Sequence, residues 1–262
     1  MYLPQTVHSG LCQEAHALIA RMSVRPDGAR QHLISRMIVD LKSAGIWDKL
    51  DVLWVEAAHD EQASRLNWKN NSSFDLTAVN TPTFTADRGY AGNGTTSYLN
   101  TNWAPSTNAV NFTQDAASFG QYINGGTSAV DVNCPFGIFG ANSIYLIPRF
   151  TGDVTRMRVN TGTSQNVGSV STSYGFSCAQ RTSSTANEVF KNGASLGTAS
   201  QASAGLAAVN AYIGGLNNAP SLTLPTNHRH ALNYFGANLS TAQHAAFYAI
   251  AQTYMVAVGA NV

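Results

Sequence analysis

Charge is what this chain has least of. Asp, Glu, Lys and Arg make up 11% of its 262 residues, less than half the usual share of about a quarter. The signs nearly cancel, with 15 basic and 14 acidic residues and a formal net charge of +1. Lys and Arg are scattered, and the one close trio is Arg149, Arg156 and Arg158. Without a basic stripe, neither nucleic acid nor an anionic membrane is implied as a partner. The trio reads as exposed strand positions, with an anionic ligand as the alternative.

Cysteine is scarce as well. Three residues, Cys12, Cys134 and Cys178, do not make a disulfide framework. Cys134 and Cys178 sit in apolar, strand-like surroundings that suit buried thiols, and a bridge between them is left open. No run approaches the roughly 20 apolar residues that span a bilayer, so no membrane insertion is expected. Met1 to Gly10 lacks a basic n-region and an apolar h-region, and no targeting segment is read there.

Acidic residues thin out along the chain. From Gly89 onward there are only Asp115, Asp131, Asp153 and Glu188. A glycosidase of the sandwich kind needs two carboxylates flanking the bond, usually in a Glu-x-Asp-x-x-Glu strand pattern. No two acidic residues after Asp87 lie within ten positions of each other. Only a tertiary pairing, such as Asp131 with Glu188, would supply them. A Gly-x-Ser-x-Gly elbow is missing, and Gly92-Asn93-Gly94 lacks the Lys and helix of a phosphate loop. No catalytic residue is assigned, and the chain is expected to be non-enzymatic.

What is present is apolar and small polar. Hydrophobic residues reach 44%, enough for a core and too many for disorder. The composition shifts near residue 70, from helix formers to Asn, Thr, Ser and Gly. Before the shift, Gln13 to Met22 reads as a short helix. Asp27 is an N-cap after Pro26, and Leu33, Ile34, Met37, Ile38 and Leu41 share one helical face that ends at Gly45. Leu50 to Val55 reads equally as strand or helix.

After the shift the pattern is short strands. Ser143–Phe150 and Val154–Val159 alternate in the manner of half-buried strands. Glu188–Phe190 and Ser195–Thr198 flank Asn192-Gly193, the strongest local hairpin signal because a type I′ turn needs positive φ at both central residues. The chain closes with a helix. Ser240 and Gln243 have capping-box spacing, Phe247, Ile250, Ala251, Tyr254, Met255 and Val258 form its apolar face, and Gly259 ends it.

Three segments after residue 70 resemble the concanavalin A-like, laminin-G-like sandwich: Arg88-Gly89-Tyr90-Ala91-Gly92-Asn93-Gly94-Thr95-Thr96-Ser97-Tyr98-Leu99, Glu188-Val189-Phe190-Lys191-Asn192-Gly193, and Ala211-Tyr212-Ile213-Gly214-Gly215. The resemblance implies a mainly-β jelly-roll sandwich over residues 71–262 with a C-terminal helix, preceded by a helical lead or attachment segment over residues 1–70. Residues 27 to 258 also resemble a type of tailed-phage or prophage virion protein. Its features here are Asp40-Leu41-Lys42-Ser43-Ala44-Gly45-Ile46-Trp47-Asp48-Lys49-Leu50-Asp51, then Leu66-Asn67-Trp68-Lys69, then Phe235-Gly236-Ala237-Asn238-Leu239-Ser240-Thr241-Ala242-Gln243. This implies a structural subunit of the particle, made in the host cytoplasm: a capsid decoration, head fibre, tail fibre or tail tip. Its partners would be other virion proteins and sister subunits, in a homo-oligomer such as a trimer, with a host surface glycan as a further partner. The rival expectation is a lectin-like carbohydrate-binding adhesin, and a third is a polysaccharide-degrading enzyme.

Candidate contacts follow from residue type. Trp103, Tyr122, Asn217 and Asn218 fall in expected loops, where an aromatic platform with amide donors and acceptors would hold a sugar. Ordinary loop packing is the competing reading of each. Trp47, Leu50, Leu53 and Trp54 crowd one stretch, either pinning the lead to the sandwich or burying against a neighbouring subunit. His228-Arg229-His230, His59-Asp60-Glu61 and Asp131-Val132-Asn133 hold metal-ligating residue types without a third ligand nearby. No metal or other cofactor is assigned.

Overall fold

The lead folds as helices α1 (Gln13–Ala20) and α2 (Gly28–Ser43), in a computed structural model that describes residues 10–69 and 73–262. Met1 to Ser9 of the stretch read for a targeting signal, and Asn70 at the compositional boundary, lie outside the described residues. Asp27 caps α2 as expected, its carboxylate accepting from the Arg30 N–H at 2.7 Å. Gly45, at φ +63°, follows the helix end, where a left-handed residue is needed.

The ambiguous apolar run is a strand, β1 (Leu50–Trp54). It is buried on both faces, so its sequence shows no alternation. Then come β2 (Thr77–Val79), β3 (Thr83–Thr85), β4 (Gly89–Ala91), β5 (Tyr98–Asn100), a four-residue helix α3 (Pro105–Asn108) and β6 (Ala117–Gly125). The chain continues through β7 (Phe136–Ile138), β8 (Ser143–Phe150), β9 (Val154–Thr161), β10 (Gln165–Val167), β11 (Gly175–Arg181), β12 (Ala186–Lys191) and β13 (Ala194–Ser200). It ends with β14 (Tyr212–Ile213), β15 (Gly215–Asn218), β16 (Ser221–Thr223), β17 (Arg229–Gly236) and α4 (Thr241–Ala257).

These strands make the expected mainly-β sandwich of two sheets. The first runs β13-β12-β11-β6-β17-β4-β3, and β1 also pairs with β17. The second runs β10-β9-β8-β7-β14-β5-β2, with the β15–β16 hairpin beside β7. All pairings are antiparallel except β15 with β7. The hairpin at Asn192-Gly193 forms as read, with φ of +48° and +78°. Between the sheets Phe235 is the hub of an aromatic core. Its ring centre lies 4.6 Å from Trp103, 4.9 Å from Phe136 and 5.8 Å from both Phe112 and Phe119.

The outward face of the first sheet is covered. Tyr122, Phe176, Phe190, Leu232 and Tyr234 leave that face and pack beneath α1, α2 and α4 in one continuous cluster. The capping box at Ser240 and Gln243 is present. The sequence placed residues 1–70 as a lead in front of the sandwich. In the structure, β1 of that stretch is a strand of the first sheet and its helices are that sheet's cover. No helix among the described residues is long and apolar enough to cross a membrane.

Candidate functional site

With one broad face under helices, the outward face of the second sheet is where the sandwich offers side chains to the outside. On β9 the residues alternate. Met157 and Val159 enter the core, while Arg156 and Arg158 point the other way and are half-buried. Arg158 stands opposite Tyr145, and Arg156 opposite Ile147.

Both guanidiniums are held in place by neutral groups. Arg156 lies over the Phe150 ring, 3.5 Å from its centre, and its Nε donates to Asn166 Oδ1 at 2.9 Å. Arg158 lies 5.2 Å from the Tyr145 ring centre and 5.3 Å from that of Phe139. Its Nε donates to Ser164 Oγ at 3.1 Å and its Nη1 to Ser143 Oγ at 3.2 Å. Ser164 also bonds the Tyr145 hydroxyl at 2.8 Å. Tyr145 is buried, which pushes its phenol upward from the ordinary range. Leu216 of β15 and Leu224, just past β16, pack against Tyr145 and Ile147, so the hairpin bounds the face on one side. Phe139 and Asn166 are exposed. Arg149, the third of the arginine trio, is paired with Asp153 at 2.7 Å.

The residues singled out in the sequence lie elsewhere. Trp103 is fully buried in the aromatic core, and Tyr122 is fully buried under α4 with its hydroxyl donating to Gln252 at 2.8 Å. Neither forms an exposed platform. The reason is that each sits on an apolar packing surface of the sandwich rather than in an open loop. Asn217 is buried on β15, donating to the Asn210 carbonyl at 2.7 Å; Asn218, at the end of the same strand, is exposed. Trp47, Leu50, Leu53 and Trp54 are all buried within the chain. They pack between the lead and the sandwich within this chain.

The metal-type motifs do not converge. No group of three or more His, Cys, Asp or Glu is placed to hold an ion among the described residues. Asp131 accepts from the Asn133 N–H at 2.9 Å, while Glu188 accepts from Ser195 and Gln180. His59 Nε2 bonds the Val24 carbonyl at 2.8 Å. All three cysteines are free thiols, Cys134 and Cys178 buried.

Sequence reasoning missed a polar cluster inside the sandwich. Glu56, Asn233 and His230 are buried together. With its amide turned to serve both neighbours, Asn233 donates to Glu56 Oε1 at 3.0 Å and to His230 Nδ1 at 3.2 Å. Glu56 Oε2 and His230 Nε2 have no partner. Burial pushes the Glu56 carboxyl well above the ordinary glutamate range, toward its protonated form, and His230 down to about 3, so His230 is neutral near pH 7. No local motif reveals either placement: Glu56 sits two residues past Trp54 on the same inward side, and a register shift in β17 between His230 and Leu232 breaks the alternation that would have sent His230 outward. His230 also lines a small pocket with Tyr90 and Tyr98, a volume of about 10 Å³, the room one water occupies.

No family model matches the chain, and no curated protein matches its sequence. Solved structures do share the fold. Domain 4 of AbnA, a GH43 extracellular arabinanase from Geobacillus stearothermophilus, solved with arabinotriose, superposes with a TM-score of 0.54 at 14% identity, covering 76% of this chain and 98% of that one. Trypanosoma rangeli sialidase in complex with sialic acid gives 0.53 at 11% identity, over 86% of this chain and 39% of the sialidase. A mutant of that sialidase displaying trans-sialidase activity gives 0.54 at 11%, over 87% and 40%. The chain thus spans about two-fifths of the sialidases it resembles. At such identities the likeness is one of fold. It nevertheless corrects the expectation of a non-enzymatic chain. The structures sharing this sandwich are parts of carbohydrate-active enzymes, so a shortage of acidic residues after Gly89 does not separate the chain from them.

Proposed function

We propose that this protein is a carbohydrate-binding β-sandwich and that it meets its sugar on the outward face of the second sheet. The observation that carries the reading is the row of planar groups on that face. Arg156 on Phe150, and Arg158 between Tyr145 and Phe139, are held flat by side-chain contacts. Ser164 and Asn166 stand at their edges. Sugar rings offer C–H faces that stack on flat side chains and hydroxyls that need donors and acceptors around the rim. Side chains already fixed by their neighbours lose little freedom when a ligand arrives. The first sheet offers no comparable face, because helices cover it.

The arabinanase domain supports the reading as a separate unit, 98% of it covered by the match to this chain, that was solved with a bound oligosaccharide. The virion setting rests on the sequence resemblance alone. In that setting, the sugar would be a glycan of the host surface.

A glycan array probed with the intact protein tests the proposal. Binding to at least one oligosaccharide class is expected, and Phe139→Ala, which removes an exposed ring beside Arg158, weakens it. An array with no bound class overturns the proposal, as does binding that Phe139→Ala and changes at Arg156 and Arg158 all leave untouched.

A further inference from the structure

The geometry points to an acidic sugar: we infer that Arg156 and Arg158 form a two-pronged site for a carboxylate or sulfate carried on a glycan. This rests on the reading of the second sheet as the sugar-binding face and names the class of sugar.

Five basic side chains sit in ion pairs among the described residues. Arg21 pairs with Asp75, Arg30 with Asp87, Arg36 with Asp40, Arg149 with Asp153 and Lys42 with Glu14. Arg181, fully buried, donates to the carbonyls of Val159, Ser184 and Gln201. Arg156 and Arg158 are not among these pairs, and unlike the buried Arg181 they are only half-buried, on the outward face of a sheet. Each has one face on an aromatic ring and its Nε on a neutral oxygen, and neither touches a carboxylate among the described residues. The Nη groups of Arg156 and Nη2 of Arg158 donate to no protein acceptor among those residues.

Two residues apart on one strand, both side chains leave the same face, about 7 Å from each other along the strand. Arg156, held over the Phe150 ring, keeps both Nη groups for a carboxylate or sulfate, and Arg158, fixed by its two serines, keeps Nη2 for a second anionic oxygen. The carboxylate in the turn that leads into β9, Asp153, is engaged with Arg149. The face therefore has positive charge held in fixed positions and no internal anion to quench it. Its edges, Ser164, Ser143 and Asn166, are the hydroxyl and amide groups that read sugar hydroxyls.

The test is calorimetric titration of the full chain with three probes of similar length: arabinotriose (neutral), trigalacturonate (carboxylated) and a sulfated galactan trisaccharide. The acidic probes should bind at least tenfold more tightly than arabinotriose, and added salt should weaken them alone. Replacing both arginines, Arg156→Gln with Arg158→Gln, should abolish the difference. Arg156→Lys with Arg158→Lys keeps the charge but loses the fork, and should recover only part of it. Thermal unfolding of each variant confirms folding, and the salt response of the unaltered protein stands even if a variant fails to fold. Which acidic probe binds more tightly tells carboxylate from sulfate. Equal binding of all three probes, or acidic binding that survives both arginine replacements, overturns the inference while leaving a sugar-binding face. Binding to no probe here and to none of the array glycans overturns both.

Discussion

With its amide turned, the side chain of Asn233 on β17 bridges two buried groups, donating to Glu56 Oε1 at 3.0 Å and to His230 Nδ1 at 3.2 Å. The sandwich interior is therefore not uniformly apolar, and because burial favours the protonated form of Glu56, stability there depends on pH.

That dependence has a sign. Glu56 titrates near 4.5 in the unfolded chain and well above it when folded, because burial disfavours the carboxylate. Its contribution to stability is fully present below about pH 4.5 and is lost as pH rises toward the folded value. His230 acts oppositely. Held down to about 3 by burial, from 6.5, it contributes above pH 6.5 and loses that contribution as pH falls toward 3. Glu56→Gln removes only the first effect. Urea unfolding from pH 5 to pH 8 should show the Gln variant gaining stability relative to the unaltered protein as pH rises. A difference that stays constant across that window would mean Glu56 is ionised in the fold.

Two glycines of positive φ separate strain from packing. Gly152, at +85°, has open space where a Cβ would stand, whereas at Gly193, at +78°, a Cβ would fall 2.9 Å from Ala245 Cα on α4. Gly152→Ala should cost about 1 kcal/mol from backbone strain alone. Gly193→Ala should cost clearly more, because helix α4 must also move. Equal losses in chemical denaturation would show that α4 does not rest on the turn.

The helical lead belongs to the folded unit. Trp54 is fully buried on β1, and Trp54→Ala should cost about 3–5 kcal/mol. Deleting residues 1–60 removes β1, α1 and α2, and so strips β17 of its β1 partner and opens the core cluster that α1 and α2 share with α4. The truncated chain should lose cooperative unfolding by circular dichroism. A truncated chain that still melts sharply would mean the sandwich closes without its lead.

Elements with local chemistry were legible in the sequence. Asp27 and Ser240 announce helix starts, Asn192-Gly193 announces a turn, and the alternation at Val154–Val159 announces a strand; the structure has all of them. Elements defined by distant partners were not. Leu50–Trp54 shows no period because β17 lies beside it, with core on one face and helices on the other. Trp103 and Tyr122 carry the residue types of a sugar platform, but residue type does not reveal which side of a sheet a ring faces. The arginine trio was visible as a cluster. That Arg149 is paired and the other two are not depends on Asp153 lying across the turn between β8 and β9.

The central claim is where the sugar sits, and amide chemical-shift mapping during titration with a bound oligosaccharide tests it most directly. The shifts should concentrate at Phe139, Arg156, Arg158, Ser164 and Asn166, on and beside β8 to β10, and leave α2 and α4 unmoved. Shifts gathered on those helices, or spread over the loops at the sandwich ends with β9 silent, would contradict the account.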